Sequence, residues 1–168
     1  MRILRIFGTV LLGVAGLIGA LFLAARFMDG PLGAIPGGPF RSGPFVSEGV
    51  QDWTFATALE TIEMQLISDG RSRTVWILVR EGRAFIPCAI GAPPGKTWHL
   101  RAQEDGRSLL RVEGKRYPVT LARVTDSSLQ SELALVVADK YPSPPGGADG
   151  ESWYFSLESR AATGAPSQ

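Results

Sequence analysis

The side chains able to carry chemistry are few. Cys88 is the single cysteine and His99 the single histidine of the 168 residues. One cysteine excludes an intramolecular disulfide and a cysteine-cluster metal site, and one histidine excludes a multi-histidine centre, so no metal is expected. Cys88 falls inside an apolar strand pattern, where it reads as a small buried hydrophobe. His99 has no identifiable carboxylate partner, which favours a structural histidine over a general acid or base. The remaining candidates are cations and hydroxyls: Arg71-Ser72-Arg73-Thr74 where a strand begins, and Lys96, which closes the loop Gly91-Ala92-Pro93-Pro94-Gly95 ahead of Trp98. Solvated arginines at a strand start and a loop lysine are ordinary, and Trp98 reads more readily as a core aromatic than as the wall of a site. No nucleophile is paired with a base, and no catalytic residue is assigned.

Charge narrows the possible partners. Lysine and arginine number 17 against 16 acidic residues; setting aside Arg2, Arg5, Arg26 and Asp29 of the first segment leaves 14 against 15. A nucleic-acid binder needs a broad basic field to neutralise phosphates, so nucleic acid is not expected.

The elements that must position these residues begin with a membrane anchor over residues 1–29. Phe7 to Ala25 is free of charge and bounded by Arg5 and Arg26. At 1.5 Å per residue such a helix covers the roughly 30 Å hydrocarbon core of a bilayer. It satisfies its own backbone hydrogen bonds there, so the expected partner of residues 6–25 is the lipid bilayer. The competing reading is a cleaved signal peptide, with Leu23-Ala24-Ala25 as the cleavage sequence. The long apolar run and the bulky Leu23 favour the anchor. The N-terminal amine, Arg2 and Arg5 lie before the span, whereas Arg26 after it is offset by Asp29. The positive-inside rule therefore predicts a single-pass inner-membrane protein with its C-terminal domain outside the cytoplasm.

Between Gly30 and Pro44 nine of fifteen residues are Gly or Pro, which predicts an irregular linker over residues 30–51. Phe40 and Phe45 are expected to pack on the domain or on lipid. The domain itself, residues 52–160, reads as β-rich. Ile62, Met64 and Leu66 alternate with polar residues as in a strand with one wet face. Val75 to Val79 reads as a strand buried on both faces, turning at Glu81-Gly82 into Ala84 to Ile90. Ser108 to Glu113 and Arg116 to Val124 form a second hairpin, with a turn at Gly114. A short helix is predicted over Lys96 to Asp105. A second follows with Leu129, Leu133, Val136 and Val137 at helical spacing, and a capping box of Ser127 and Gln130. A Pro/Gly-rich loop over residues 142–150, a last strand from Trp153 to Leu157 and a disordered tail over 161–168 complete the reading.

This order of elements resembles the split β-barrel proteins related to deazaflavin-dependent nitroreductases and to flavin-binding pyridoxamine-phosphate-oxidase-like domains. Ile90-Gly91-Ala92 with Lys96-Thr97-Trp98-His99-Leu100 looks like that family's Gly-rich loop, lysine and aromatic helix. Arg111 to Val124 looks like its second hairpin, and Asp139 to Ser143 like the end of its second helix. The resemblance implies an α+β fold: a six-stranded antiparallel split β-barrel with two helices, preceded by the transmembrane helix. It also implies a homodimer and a bound FMN or deazaflavin serving a reductase. Carried over by position, Lys96 meets the cofactor phosphate, Arg71, Ser72, Arg73 and Thr74 line the strand start beside it, and Trp98 lies against the ring system. A phosphate requires such a cluster of cations and hydroxyl or amide donors. The arginine stretch is shorter than the family's, and Arg101 stands where the family often has asparagine. A cofactor-free envelope domain that binds a protein or lipid partner is the alternative.

Overall fold

A computed structural model of the chain describes residues 2–141 and 151–160. The loop expected over residues 142–150 and the tail over 161–168 lie outside the described residues. Helix α1 spans Arg2–Ala25, and its segment Phe7–Ala25 is long and apolar enough to cross a membrane. A signal sequence meets the same description.

The remainder is α+β. Its strands are β1 (Thr61–Leu66), β2 (Ser72–Trp76), β3 (Leu78–Arg80), β4 (Arg83–Ala89), β5 (Arg107–Val112), β6 (Lys115–Arg123) and β7 (Ser152–Ser159). Helix α2 (Trp98–Glu104) lies between β4 and β5, and α3 (Ser127–Lys140) between β6 and β7. All seven strands pair antiparallel in the order β2-β1-β5-β6-β7-β4-β3. Two expectations are corrected here: there are seven strands rather than six, and the hydrogen-bonded order is open rather than a closed barrel.

The physical reason lies at Ile77. The continuous apolar run from Val75 to Val79 is divided there into β2, which pairs with β1, and β3, which pairs with β4. Ile77 leaves the ladder because other groups satisfy its backbone. Its N–H donates to the Tyr141 hydroxyl at 3.3 Å, and its carbonyl accepts from Lys140 Nζ at 2.9 Å. A buried backbone group needs a partner but not necessarily a strand partner.

Both hairpins turn through Glu-Gly pairs. Glu81 and Gly82, and likewise Glu113 and Gly114, have φ between 49° and 76°, the left-handed geometry that suits the twist of a two-residue hairpin. Inside the sheet, Met64, Leu66, Ile86, Leu110, Val119 and Phe155 pack with Trp53 and with Ala102 of α2. A second cluster of Leu78, Phe85 and Tyr154 packs against Leu133 of α3. The cap of α3 differs from the expected box. Asp126, not Ser127, is the N-cap, and its carboxylate accepts from Leu129 N at 2.8 Å. Gln130 instead donates to the Val124 carbonyl.

The Gly/Pro-rich segment has irregular backbone, as its composition predicts, but it is bound to the sheet. The carboxylate of Asp29 accepts from the amides of Arg41 and Ser42 and from Arg111 Nη1, at 2.8, 3.1 and 2.9 Å, and Arg111 also pairs with Glu63. Burial pulls the Asp29 carboxyl upward, but the hydroxyl of Ser42, the Arg41 amide and the Arg111 guanidinium outweigh it and hold the pKa down at about 2. Phe40 is buried beneath the Arg111 guanidinium, 4.5 Å from its ring centroid, while Phe45 lies half-exposed under Arg116. A Cβ on Gly37 would stand 1.7 Å from the Gly30 carbonyl oxygen, so only glycine fits where this strap crosses itself.

Candidate functional site

The six residues singled out by sequence divide into two groups. Arg71, Ser72 and Thr74 face the strap. Gly37 and Ser72 form a β-bridge, with Gly37 N donating to the Ser72 carbonyl at 2.9 Å. Arg71 donates through Nε to the Gly37 carbonyl at 3.2 Å and through Nη2 to the Pro36 carbonyl at 3.0 Å. The Ser72 hydroxyl donates to the Gly38 carbonyl at 2.6 Å, and the Thr74 hydroxyl to the Gly33 carbonyl at 2.7 Å. Ser72 is fully buried. These are the donors a phosphate would need, and the chain's own carbonyls hold them. In this arrangement the cluster does not fit a cofactor phosphate.

Arg73, Lys96 and Trp98 form the second group, on the side of the sheet that faces α2. β2 carries Arg73 across the turn from Asp69, and Trp98 opens α2 immediately after the loop that carries Lys96, so their meeting is a tertiary one between two separate elements. Arg73 donates to Asp69 Oδ2 at 2.8 Å, and its guanidinium carbon lies 5.9 Å from the Trp98 ring centroid. Asp69 also receives Arg101 at 3.1 Å, so one nearly buried carboxylate balances two guanidinium groups. Burial lowers the Arg73 pKa, and Asp69 opposes it. Trp98 is partly buried against the core and 5.5 Å from Phe155, so its position is that of a core aromatic.

Cys88 lies within the influence of both Lys96 and Arg73. Burial pushes its thiol up and the two cations pull it only partly back, so it is a protonated, 2% exposed thiol rather than a ready nucleophile. His99 is 6% exposed and stacks edge-on to Trp153 at 5.1 Å. Burial lowers its pKa, and Lys96 and Arg123 add to the effect, which keeps the imidazole neutral. Among the described residues no carboxylate hydrogen bond to His99 is present. Arg73 Nη1 and His99 Nδ1 are the buried side-chain polar atoms without a partner among the described residues.

A third feature was not legible in the sequence. A cavity of about 470 Å³ opens where the strap meets the sheet, walled by Pro31 and Gly33 on one side and by Glu63, Thr74, Arg111 and Glu113 on the other. Thr74 alone belongs to both the predicted set and this wall. Glu63 and Arg111 sit directly opposite one another on β1 and β5, a cross-strand pairing 48 residues apart that no local motif announces. Among the described residues no group of three or more His, Cys, Asp or Glu side chains is placed to hold a metal ion. A scan against protein-family models found no match for this chain, and neither did a search of curated proteins.

Proposed function

We propose that this protein is a membrane-anchored domain of split-barrel type that acts by binding a partner, without a flavin, and that its ligand is the polar head of a lipid received by the strap-walled cavity. The observation that carries this reading is the strap itself. It occupies Arg71, Ser72 and Thr74, the donors a flavin phosphate would need, and at its base forms a polar cavity walled by Thr74, Glu113 and the Glu63–Arg111 ion pair, Arg111 being paired with Asp29 as well. A zwitterionic head group would set its ammonium against Glu113 and its phosphate at the rim, where the paired Arg111 lies. The split-barrel topology is supported by the position of β2 and β3, which end the sheet on opposite sides yet are separated in sequence by Ile77 alone. The charge asymmetry about α1 supports a domain outside the cytoplasm.

A second reading, a reductase that holds FMN or a deazaflavin, is favoured by the meeting of Lys96, Arg73 and Trp98 around Cys88. In that reading the cofactor supplies the hydride chemistry, while Lys96 and Arg73 hold its phosphate and Trp98 orients it. One pair of titrations on the full-length chain in detergent separates the two. A short-chain phosphatidylethanolamine should protect amides 61–63 and 111–114 from hydrogen exchange, while FMN and deazaflavin fluorescence should show no saturable binding. Saturable flavin binding weakened about ten- to a hundredfold by Lys96→Ala, the loss expected for one charge-assisted contact, would establish the reductase instead.

A further inference from the structure

The anchor is not joined to the domain by a free tether. Ala25, the last residue of α1, is fully buried against the domain. The helical path continues by turns, with Phe27 N donating to the Ala24 carbonyl at 3.0 Å and Met28 N to the Ala25 carbonyl at 3.2 Å. The next residues are fixed to the sheet side: the Met28 carbonyl accepts from Gly38 N at 3.2 Å, and Asp29 binds Arg111 of β5. A Cβ on Gly38 would fall 2.3 Å from the Arg26 carbonyl oxygen, so the strap lies in contact with the end of the helix.

Against this fixed junction three large apolar side chains stand in solvent. Phe27 is 68% exposed, and Met28 and Leu32 are 43% each. Leu32 is held outward by a tight turn in which it exchanges two 3.0 Å hydrogen bonds with Ile35. Arg26 and Arg41, both exposed, flank this patch on the same segment. Apolar side chains bordered by cations, directly continuous with a membrane-crossing helix, match the chemistry of the lipid–water interface.

We infer that the domain is seated on the bilayer, with Phe27, Met28 and Leu32 inserted into the lipid interface and the cavity wall of Pro31 and Gly33 held at the membrane surface. The inference rests on α1 spanning the membrane, and it adds that the domain has one fixed orientation there. The patch continues the surface of the span, and for that reason its occupant is lipid rather than a second copy of the chain.

The test uses the full chain in vesicles of phosphatidylcholine and phosphatidylglycerol, spin-labelled at one introduced cysteine: Val14→Cys in the span, Leu32→Cys in the patch, or Leu135→Cys on α3. Buried Cys88 makes the unsubstituted chain the labelling blank. Collision rates with oxygen, which concentrates in lipid, and with a water-soluble nickel chelate report depth. Labels at positions 14 and 32 are expected to gain oxygen collisions and lose nickel collisions, while position 135, 73% exposed, shows the reverse. Position 14 in lipid with position 32 as open to nickel as position 135 overturns the seating and leaves the anchor standing. Nickel access at position 14 overturns both. Loss of nickel collisions at position 32 without a gain in oxygen indicates a protein contact, and also overturns it.

Discussion

Asp29→Ala should release the strap while leaving the sheet intact. The Asp29 carboxylate accepts from two amides, the Ser42 hydroxyl and Arg111, with its side chain 31% exposed. Losing a carboxylate that caps backbone amides costs about 1 kcal/mol. A partly exposed ion pair adds up to about 1 kcal/mol, discounted here because Arg111 retains Glu63. The strap therefore loses about 1.5 kcal/mol, which corresponds to about a 10-fold rise in its opening equilibrium. Native-state hydrogen exchange on the full chain in micelles measures this at Gly37, Gly38 and Ser72, whose amides donate to Ser72, Met28 and Gly37. Exchange there should rise by about that factor, while the β6–β7 ladder stays protected. Asp29→Asn should fall between, because it keeps one carbonyl acceptor. The wild type should show the same release in acid. The folded pKa of Asp29 is depressed to about 2 from 3.8, so its contribution is present above about pH 4 and is lost as pH falls toward 2. Unchanged exchange at those three amides, or equal acceleration across the whole sheet, would refute the assignment of the strap as a separate latch.

Two further outcomes are expected. The His99 pKa lies below its ordinary value, so the unfolded chain binds a proton more readily and stability should fall as pH drops below about 6.5; urea midpoints between pH 8 and 5.5 should show this slope, and His99→Gln should flatten it. Tyr141→Phe keeps the ring stacked on Trp76 but removes the hydroxyl that donates to the Glu60 carbonyl and accepts from Ile77 N. Leaving that buried N–H unpaired should cost about 1–2 kcal/mol in a denaturant titration, and an unchanged midpoint would remove Tyr141 from the account of the β2–β3 break.

Local patterns carried the elements. The alternation through Ile62, Met64 and Leu66 became β1 with those three residues buried, because a period of two admits only one face to the core. The Glu-Gly turns, the two short helices and the apolar run of α1 were equally legible, each depending on neighbours within a few residues. The break at Ile77 was not, since it depends on Lys140 and Tyr141 more than sixty residues away. The strap was hidden for a different reason. Its glycines read as freedom, whereas Gly37 and Gly38 are there because backbones approach too closely for a side chain, and Gly30 because it has a φ of 99° and lies against the Arg111 guanidinium. Within the candidate site, Lys96 and Trp98 are sequence neighbours, but their approach to Arg73 crosses from α2 to β2. The engagement of Arg71, Ser72 and Thr74 by residues 33–38 rests on pairings with no sequence signature.

The position of β7 bears on how the domain is made. This last strand lies inside the sheet, with β6 on one side and β4 on the other. Until residue 159 has left the ribosome, the chain holds two separate fragments, β2-β1-β5-β6 and β4-β3, each ending in a bare edge. Joining the two halves waits on β7, and a chain truncated before Ser152 would present two unpaired ladders and a strong tendency to aggregate.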